Sequence, residues 1–326
     1  VTTAHQQELI GPLLKEVSRS FYLTLRVLPP AIRPQISLAY LLARATDTIA
    51  DTKVVARARR LELLRQMQAG EIKAIAELVA HQALPAERTL LQRLDDCCTM
   101  LKSFPEADRK RIGDLWQTII AGQVFDLERF PGELVALADE AELDRYTYLV
   151  AGCVGEFWTR MCAAHLAELE EWKDGRMEEA GVRFGKGLQL VNILRDLPRD
   201  LRIGRCYLPV SEPQRLLEAS SFDAIRPLYH RWLDTAVGHL NAGWQYTMAI
   251  PSKLWRLRLA CTWPIWIGLE TVALLRQANP LEADKRVMVP QGVVNRMLAR
   301  TVLTCRCDKS LDKRYRQLRA AAAGRG

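Results

Sequence analysis

Apolar residues recur at helical spacing along almost the whole chain, in stretches near 7–27, 33–52, 56–69, 71–81, 87–103, 106–127, 140–165, 176–200, 212–219, 222–248, 253–277 and 290–304. Strand-like alternation is nearly absent. Pro, Gly or short polar clusters separate the stretches, at Leu28-Pro29-Pro30, Phe104-Pro105, Phe130-Pro131-Gly132, Gly204-Arg205, Ile250-Pro251 and Asn279-Pro280, and none is long enough for an interdomain linker. With no internal repeat of fixed period, the pattern predicts an all-α protein with one helical domain over residues 1–305.

Two of these helices carry a polar stripe. In SLAYLLARATDTIADT, beginning at Ser37, the residues Tyr40, Arg44, Asp47 and Asp51 fall within a sector about 60° wide at 100° per residue. In GKGLQLVNILRDLPRD, Gly185 to Asp200, the residues Gln189, Asn192, Asp196 and Asp200 again share one face. Two carboxylates at i and i+4 repel, by roughly 0.2–0.5 kcal/mol on an open helix and by far more when desolvated, so each stripe calls for positive charge. One such pair is ordinarily a solvated helix face. Two pairs, flanked by Leu41, Leu42, Ile49, Leu188, Val191 and Ile193, are expected to line a cavity instead.

Oxygen ligands of this kind suit Mg²⁺, which keeps several waters and bridges carboxylate to substrate phosphate. Asp47, Asp51, Asp196 and Asp200 are therefore the candidate metal ligands, and a diphosphate is the natural substrate group. Arg44 and Arg195 lie beside the aspartate pairs, while Arg19 sits between Ser18 and Ser20 and Arg205 follows Gly204. Their planar guanidinium forks are suited to holding a diphosphate. Pro198 stands inside the second stripe, removes a backbone donor and is expected to kink or end that helix.

Charge and cysteine content narrow the class. The net charge is +8, and residues 306–326 hold most of the surplus, with seven Lys/Arg against Asp308 and Asp312. That segment reads as a basic, solvated, frayed tail, with contact to anionic lipid as the alternative. Basic residues are not interleaved with aromatics in a recognisable module, which argues against nucleic acid as a partner. The eight cysteines show no CxxC spacing and no leader precedes them, so reduced thiols in a cytoplasmic protein are expected, with no structural metal at Cys305-x-Cys307. The longest apolar run, Leu259 to Leu275, is interrupted by Pro264 and Glu270 and reads as a core helix rather than a transmembrane segment.

Four segments, in this order, carry a family resemblance: Ser18-Arg19-Ser20-Phe21; Asp47-x-x-x-Asp51; Tyr146-x-x-x-Val150-Ala151-Gly152-x-x-Gly155; and Gln189-x-x-Asn192-Ile193-Leu194-Arg195-Asp196-x-x-x-Asp200. The chain resembles the squalene and phytoene synthases over roughly residues 10–295, and Gly204-Arg205-Cys206-Tyr207-Leu208-Pro209 is similar to the GRxYLP segment of bacterial and plant members. The resemblance implies a helical isoprenoid-synthase (class I terpenoid synthase) bundle around a central cavity, with the aspartate motifs on opposite walls and Mg²⁺ bridging them to diphosphate. It implies head-to-head condensation of two allylic diphosphates through a cyclopropylcarbinyl diphosphate; chain length depends on cavity depth, and farnesyl diphosphate, giving presqualene diphosphate, is the default substrate.

Within that scheme Arg19, Arg44, Arg195, Gln189 and Asn192 would hold diphosphate. Phe21, Tyr40 and Val150 would line the pocket or steady a cation, and Tyr146 would assist the first half-reaction. Ser18, Ser20, Asn192 and Arg205 would meet NADPH if the product is squalene. Two features depart from the pattern: Ala50 and Arg199 stand where the family often has Glu. A third is that Val287 to Gln291 reads VMVPQ where a basic cluster is expected, with Lys285 and Arg286 just upstream. The segment Arg256 to Pro264 resembles the squalene-forming branch, which is the reading favoured here. Dehydrosqualene or phytoene synthesis without reduction is the alternative, and a non-catalytic assembly factor of the same fold is the alternative of a different class. An apolar product also implies possible peripheral contact with the inner membrane surface.

Overall fold

The computed structural model describes residues 4–18, 21–71, 76–282 and 287–324. The chain is all-α, as its periodicity requires, and its contacts form two compact units: residues 1–131 with 160–167, and residues 132–159 with 168–326.

The first unit is built from α1 (Ala4–Glu8), α2 (Leu14–Ser18), α3 (Tyr22–Val27), α4 (Arg33–Asp51), α5 (Arg57–Gln68), α6 (Ala76–His81), α7 (Pro85–Gln92), α8 (Leu94–Ser103) and α9 (Glu106–Arg129). Proline starts α4 and α7 within their first turns, where a missing N–H is harmless. The stretch near 7–27 is broken by a π-helical turn, Leu9–Leu13, that holds Pro12, and the stretch near 87–103 breaks at Arg93. The long helix α4 packs chiefly on α9 and is also contacted by α5, α7 and α8. Leu38, Leu41, Leu42, Ala45 and Ile49 are fully buried, which leaves the polar stripe as the helix's one hydrophilic edge. Asp108 of α9, buried, accepts from Arg111 Nη1 at 2.9 Å and lies 2.9 Å from His165 Nε2.

The second unit comprises α10 (Glu140–Thr147), most of α11 (Cys153–His165), α12 (Glu178–Arg202), α13 (Phe222–Ala249), α14 (Trp255–Gln277), α15 (Gln291–Thr304) and α16 (Asp308–Ala322). Its core is α12 against α13, with α14 packed on both. A π-helical segment, Tyr148–Gly152, joins α10 to α11 and lies on α12. Glycine makes that approach possible. A Cβ built on Gly155 would stand 1.9 Å from the Gly181 carbonyl oxygen, and one on Gly185 would stand 2.1 Å from that of Ala151.

Two short strands, β1 (Val135–Ala136) and β2 (Arg205–Cys206), pair in parallel, a detail the apolar pattern does not announce. Gly204 turns into β2 at φ 85°, and a Cβ there would lie 2.6 Å from the Gly132 carbonyl oxygen.

One expectation is narrowed and another corrected. Pro198 does not end its helix: α12 continues to Arg202. Proline deprives the Leu194 carbonyl, one turn back, of its donor. The hydroxyl of Tyr229, fully buried on α13, donates to that carbonyl at 3.0 Å and replaces the lost bond. Burial also pushes the Tyr229 hydroxyl far above its ordinary range, so it remains a donor.

The correction concerns the basic tail, which is expected to be solvated and frayed and is instead helical over Asp308–Ala322. Helix α16 packs on α14, burying Leu311, Tyr315, Leu318 and Ala322 at i, i+4, i+7 and i+11. Tyr315 stacks on Trp244 with centroids 4.4 Å apart, and its hydroxyl donates to Asn241 at 2.8 Å. Arg258 pairs with Asp308 at the start of the helix, and Arg276 donates to the Ala322 carbonyl at its end. The basic residues line the outer face.

Candidate active site

In the first unit the Asp47 motif occupies the last turn and a half of α4. Asp47 is partly buried and Asp51, the final helical residue, is exposed. Gln123 of α9 donates its side-chain amide to Asp47 Oδ1. One turn along α9, Asp126 is buried and adds negative charge near Asp47. Arg44 donates to Glu87, a buried carboxylate in the first turn of α7.

Burial pushes the Asp47 carboxyl up to about 7; Arg44 opposes this, while Asp51, Glu87 and Asp126 add to it. The Arg44 guanidinium is itself raised: burial works against its charge, but Glu87 and Asp47 outweigh that. A group of oxygen donors with surplus negative charge and a carboxyl driven toward its neutral form fits a hard divalent cation, which would reverse the strain by restoring the charged form. Within the unit the described residues bring no three acidic, His or Cys side chains close enough to make a metal cage. That is compatible with a cation completed by water and phosphate.

Phe21 and Tyr40 stack with centroids 5.5 Å apart and an interplanar angle of 20°. Ser18 is buried, and its hydroxyl donates to the Leu14 carbonyl of its own helix. Arg19 and Ser20 lie outside the described residues, as do Lys285 and Arg286.

In the second unit, Gln189, Arg195, Asp196 and Asp200 are partly buried along one side of α12, and Asn192 is exposed. Leu190, Val191, Ile193, Leu194, Leu197 and Leu201 fill the opposite face. Arg195 clasps Asp196 with both arms of its guanidinium, at 3.0 and 2.6 Å. Of the arginines assigned to diphosphate, the two among the described residues already hold a carboxylate, Arg44 through Glu87 and Arg195 through Asp196. Asn192 donates to Gln189 at 3.5 Å, the limit of a hydrogen bond.

Tyr146 is buried and stacks on Tyr207, with centroids 4.7 Å apart and 20° between the rings. The β1–β2 pairing, through Leu137 N to the Cys206 carbonyl at 2.9 Å, places Tyr207 there, with Arg205 partly buried two residues before it. Val150 sits in the π-helical segment, partly buried. Beside it, Tyr148 donates to Glu156 at 2.8 Å, and Lys186 pairs with Asp144 at 2.6 Å.

Sequence reasoning missed Glu87, Gln123, Asp126, Tyr207 and Tyr229. Gln123 and Asp126 carried a readable signal, two polar residues one turn apart in the apolar run from Ile119 to Leu127. Glu87 did not, because an acid in the first turn of a helix is commonplace.

The sequence model of the family described as squalene/phytoene synthase matches residues 14–292. The bifunctional lycopene cyclase/phytoene synthase of Blakeslea trispora is 32% identical over 209 residues, 60% of this chain and 31% of that protein. The presqualene diphosphate synthase of Zymomonas mobilis is 32% identical over 200 residues, 59% of this chain and 56% of that one. The matched regions thus span about a third to just over half of these relatives. Among solved structures, a complex of TcSQS with ligand superposes with a TM-score of 0.75 at 17% identity, covering 99% of this chain and 98% of the other, which establishes likeness of fold.

Proposed function

The chain belongs to the squalene/phytoene synthase family, and on that premise we propose that it joins two prenyl diphosphates head to head with the help of Mg²⁺. The observation that carries the proposal is the set of groups around Asp47: burial pushes this carboxyl up to about 7, Arg44 opposes the shift, and Asp51, Glu87 and Asp126 add to it. Such a cluster is unfavourable in an isolated chain and favourable around a divalent cation.

When bound, Mg²⁺ supplies positive charge to the departing diphosphate. Asp47 and Asp51 on α4 would hold such an ion in the first unit, and Asp196 and Asp200 on α12 would do so in the second. Arg44 and Arg195 would exchange their carboxylate partners for phosphate oxygens, and Gln189 and Asn192 share the Arg195 helix. The stacked rings of Phe21 and Tyr40 present π faces suited to a carbocation. Tyr146 would serve the first half-reaction with its ring fixed by Tyr207, and apolar walls would keep out the water that quenches a cation.

In its finer form the proposal is condensation of two farnesyl diphosphates to presqualene diphosphate, then reduction by NADPH to squalene, with Arg205 and Asn192 toward the cofactor. The likeness to a presqualene diphosphate synthase supports the first step. A second reading, release of an unreduced product, is favoured by the segment Val287 to Gln291, which has no basic residue. Retention of all four aspartates argues against a non-catalytic assembly factor.

Among the described residues no helix is long and apolar enough to cross a membrane. The exposed Arg296, Arg300, Lys309 and Lys313, with an apolar product to deliver, support a peripheral contact with anionic lipid. The test is incubation with farnesyl diphosphate and Mg²⁺, with and without NADPH, and identification of products by mass spectrometry. Squalene only when NADPH is present is expected. The same hydrocarbon in both arms would refute the reductive step, and unconsumed substrate would refute the enzyme reading.

A further inference from the structure

We propose that Gln123, which lies in neither aspartate motif, is a positioning residue for the first of them: its side-chain amide holds the Asp47 carboxylate so that the second oxygen is kept for a divalent cation. The inference rests on the metal-binding reading of Asp47.

Helix α9 packs along α4, and Gln123, partly buried, donates Nε2–H to Asp47 Oδ1 across that contact. The negative groups around Asp47, namely Asp51, Glu87 and Asp126, oppose its charge. With no restraint, its carboxylate would relieve that repulsion by rotating away from them. An ionised carboxylate has two oxygens and about four lone-pair sites, so one amide bond pins the rotamer and leaves the others open.

The chemistry of the donor matters. A lysine at this position would neutralise Asp47 and compete with the cation, a glutamate would add to the repulsion, and an apolar side chain would leave the carboxylate unpinned. Glutamine alone among these restrains the ligand without altering the charge that draws the metal. Asp126 stands three residues on, on the same side of α9, so one helix supplies both the restraint and part of the negative field.

The test is binding of Mn²⁺, standing in for Mg²⁺, followed by electron paramagnetic resonance in the presence of inorganic diphosphate. The proteins are wild type, Gln123→Met, Gln123→Asn and Asp47→Asn. Methionine keeps the length and loses the donor. Asparagine keeps the donor and loses the reach, so it provides a second variant should the first fold poorly. A hydrogen bond to a charged group is worth roughly a tenfold change in an equilibrium. Gln123→Met is therefore expected to weaken Mn²⁺ binding about tenfold, with Gln123→Asn between it and wild type, at an unchanged melting temperature. In turnover the half-saturating Mg²⁺ concentration should rise while kcat at saturating Mg²⁺ recovers, a split that mere loss of folded protein would not produce.

Variants that bind Mn²⁺ as tightly as wild type, or that lose binding only in step with loss of folded protein, would overturn this inference and leave the metal reading standing. A wild type that binds no better than Asp47→Asn would overturn the metal reading, and this inference with it.

Discussion

Pro198 sits in the middle of the second aspartate motif, four residues beyond the carbonyl it leaves without a donor, and Tyr229 compensates from another helix at 3.0 Å. Tyr229→Phe removes only the hydroxyl, because the ring that meets Phe222 edge-on at 5.7 Å is retained. The Leu194 carbonyl is then buried without a partner, and stability should fall by about 1–3 kcal/mol. The same substitution made in a Pro198→Ala chain should cost much less, since an alanine in place of the proline restores the N–H that serves the Leu194 carbonyl. The coupling between the two sites is expected at roughly 1–2 kcal/mol, well above the few tenths found for independent positions. Urea unfolding of wild type, both single variants and the double variant, followed by circular dichroism, measures it. Equal costs of Tyr229→Phe in the two backgrounds would refute the compensation. Asp196 precedes the proline and Asp200 follows it, so a chain lacking the Tyr229 hydroxyl should also bind metal more weakly through the turn that bears Asp200.

Three further outcomes are expected. Asp47, raised from 3.8 to about 7, keeps its proton in the folded chain where the unfolded chain has lost it, so it erodes stability as the pH climbs from about 4 to 7. Asp47→Asn should therefore gain on wild type by at most about 3 kcal/mol between pH 5 and pH 8, less whatever water screens, as measured by urea unfolding at the two pH values; a gap independent of pH would exclude this. Gly155→Ala would place a methyl 1.9 Å from the Gly181 carbonyl oxygen and should destabilise by about 3 kcal/mol, and an unshifted thermal melt would mean the helices do not touch there. Arg258→Met would strand the Ile250 carbonyl and unpair Asp308, so the amides of α16 should exchange with solvent faster than those of α13, and equal protection would show that α16 is held by its apolar face alone.

Much of this was legible beforehand. The α4 stripe is drawn by Leu38, Leu41, Leu42 and Ile49, whose spacing allows only one hydrophilic edge, and that edge is where Asp47 and Asp51 lie. Helix α12 follows the same logic. Whether Pro198 kinks or ends α12 is not legible locally, because a proline is read from what it removes there, whereas the replacement donor comes from Tyr229, 35 positions beyond Leu194. The tail was misjudged because its basic residues outweighed a regular spacing of Leu311, Tyr315 and Leu318. That spacing becomes decisive only when Trp244 and α14 offer a surface to receive it.

The amino-acid order by itself determined which faces are apolar and which carboxylates share a face, because periodicity and backbone chemistry act within a few residues. Folding alone decided that Gln123 reaches Asp47, that Glu87 meets Arg44, that Tyr207 braces Tyr146, and that glycines bring α11 against α12. Those pairings join residues far apart in the chain, and no local rule selects among the many partners a single amide, carboxylate or ring could have had.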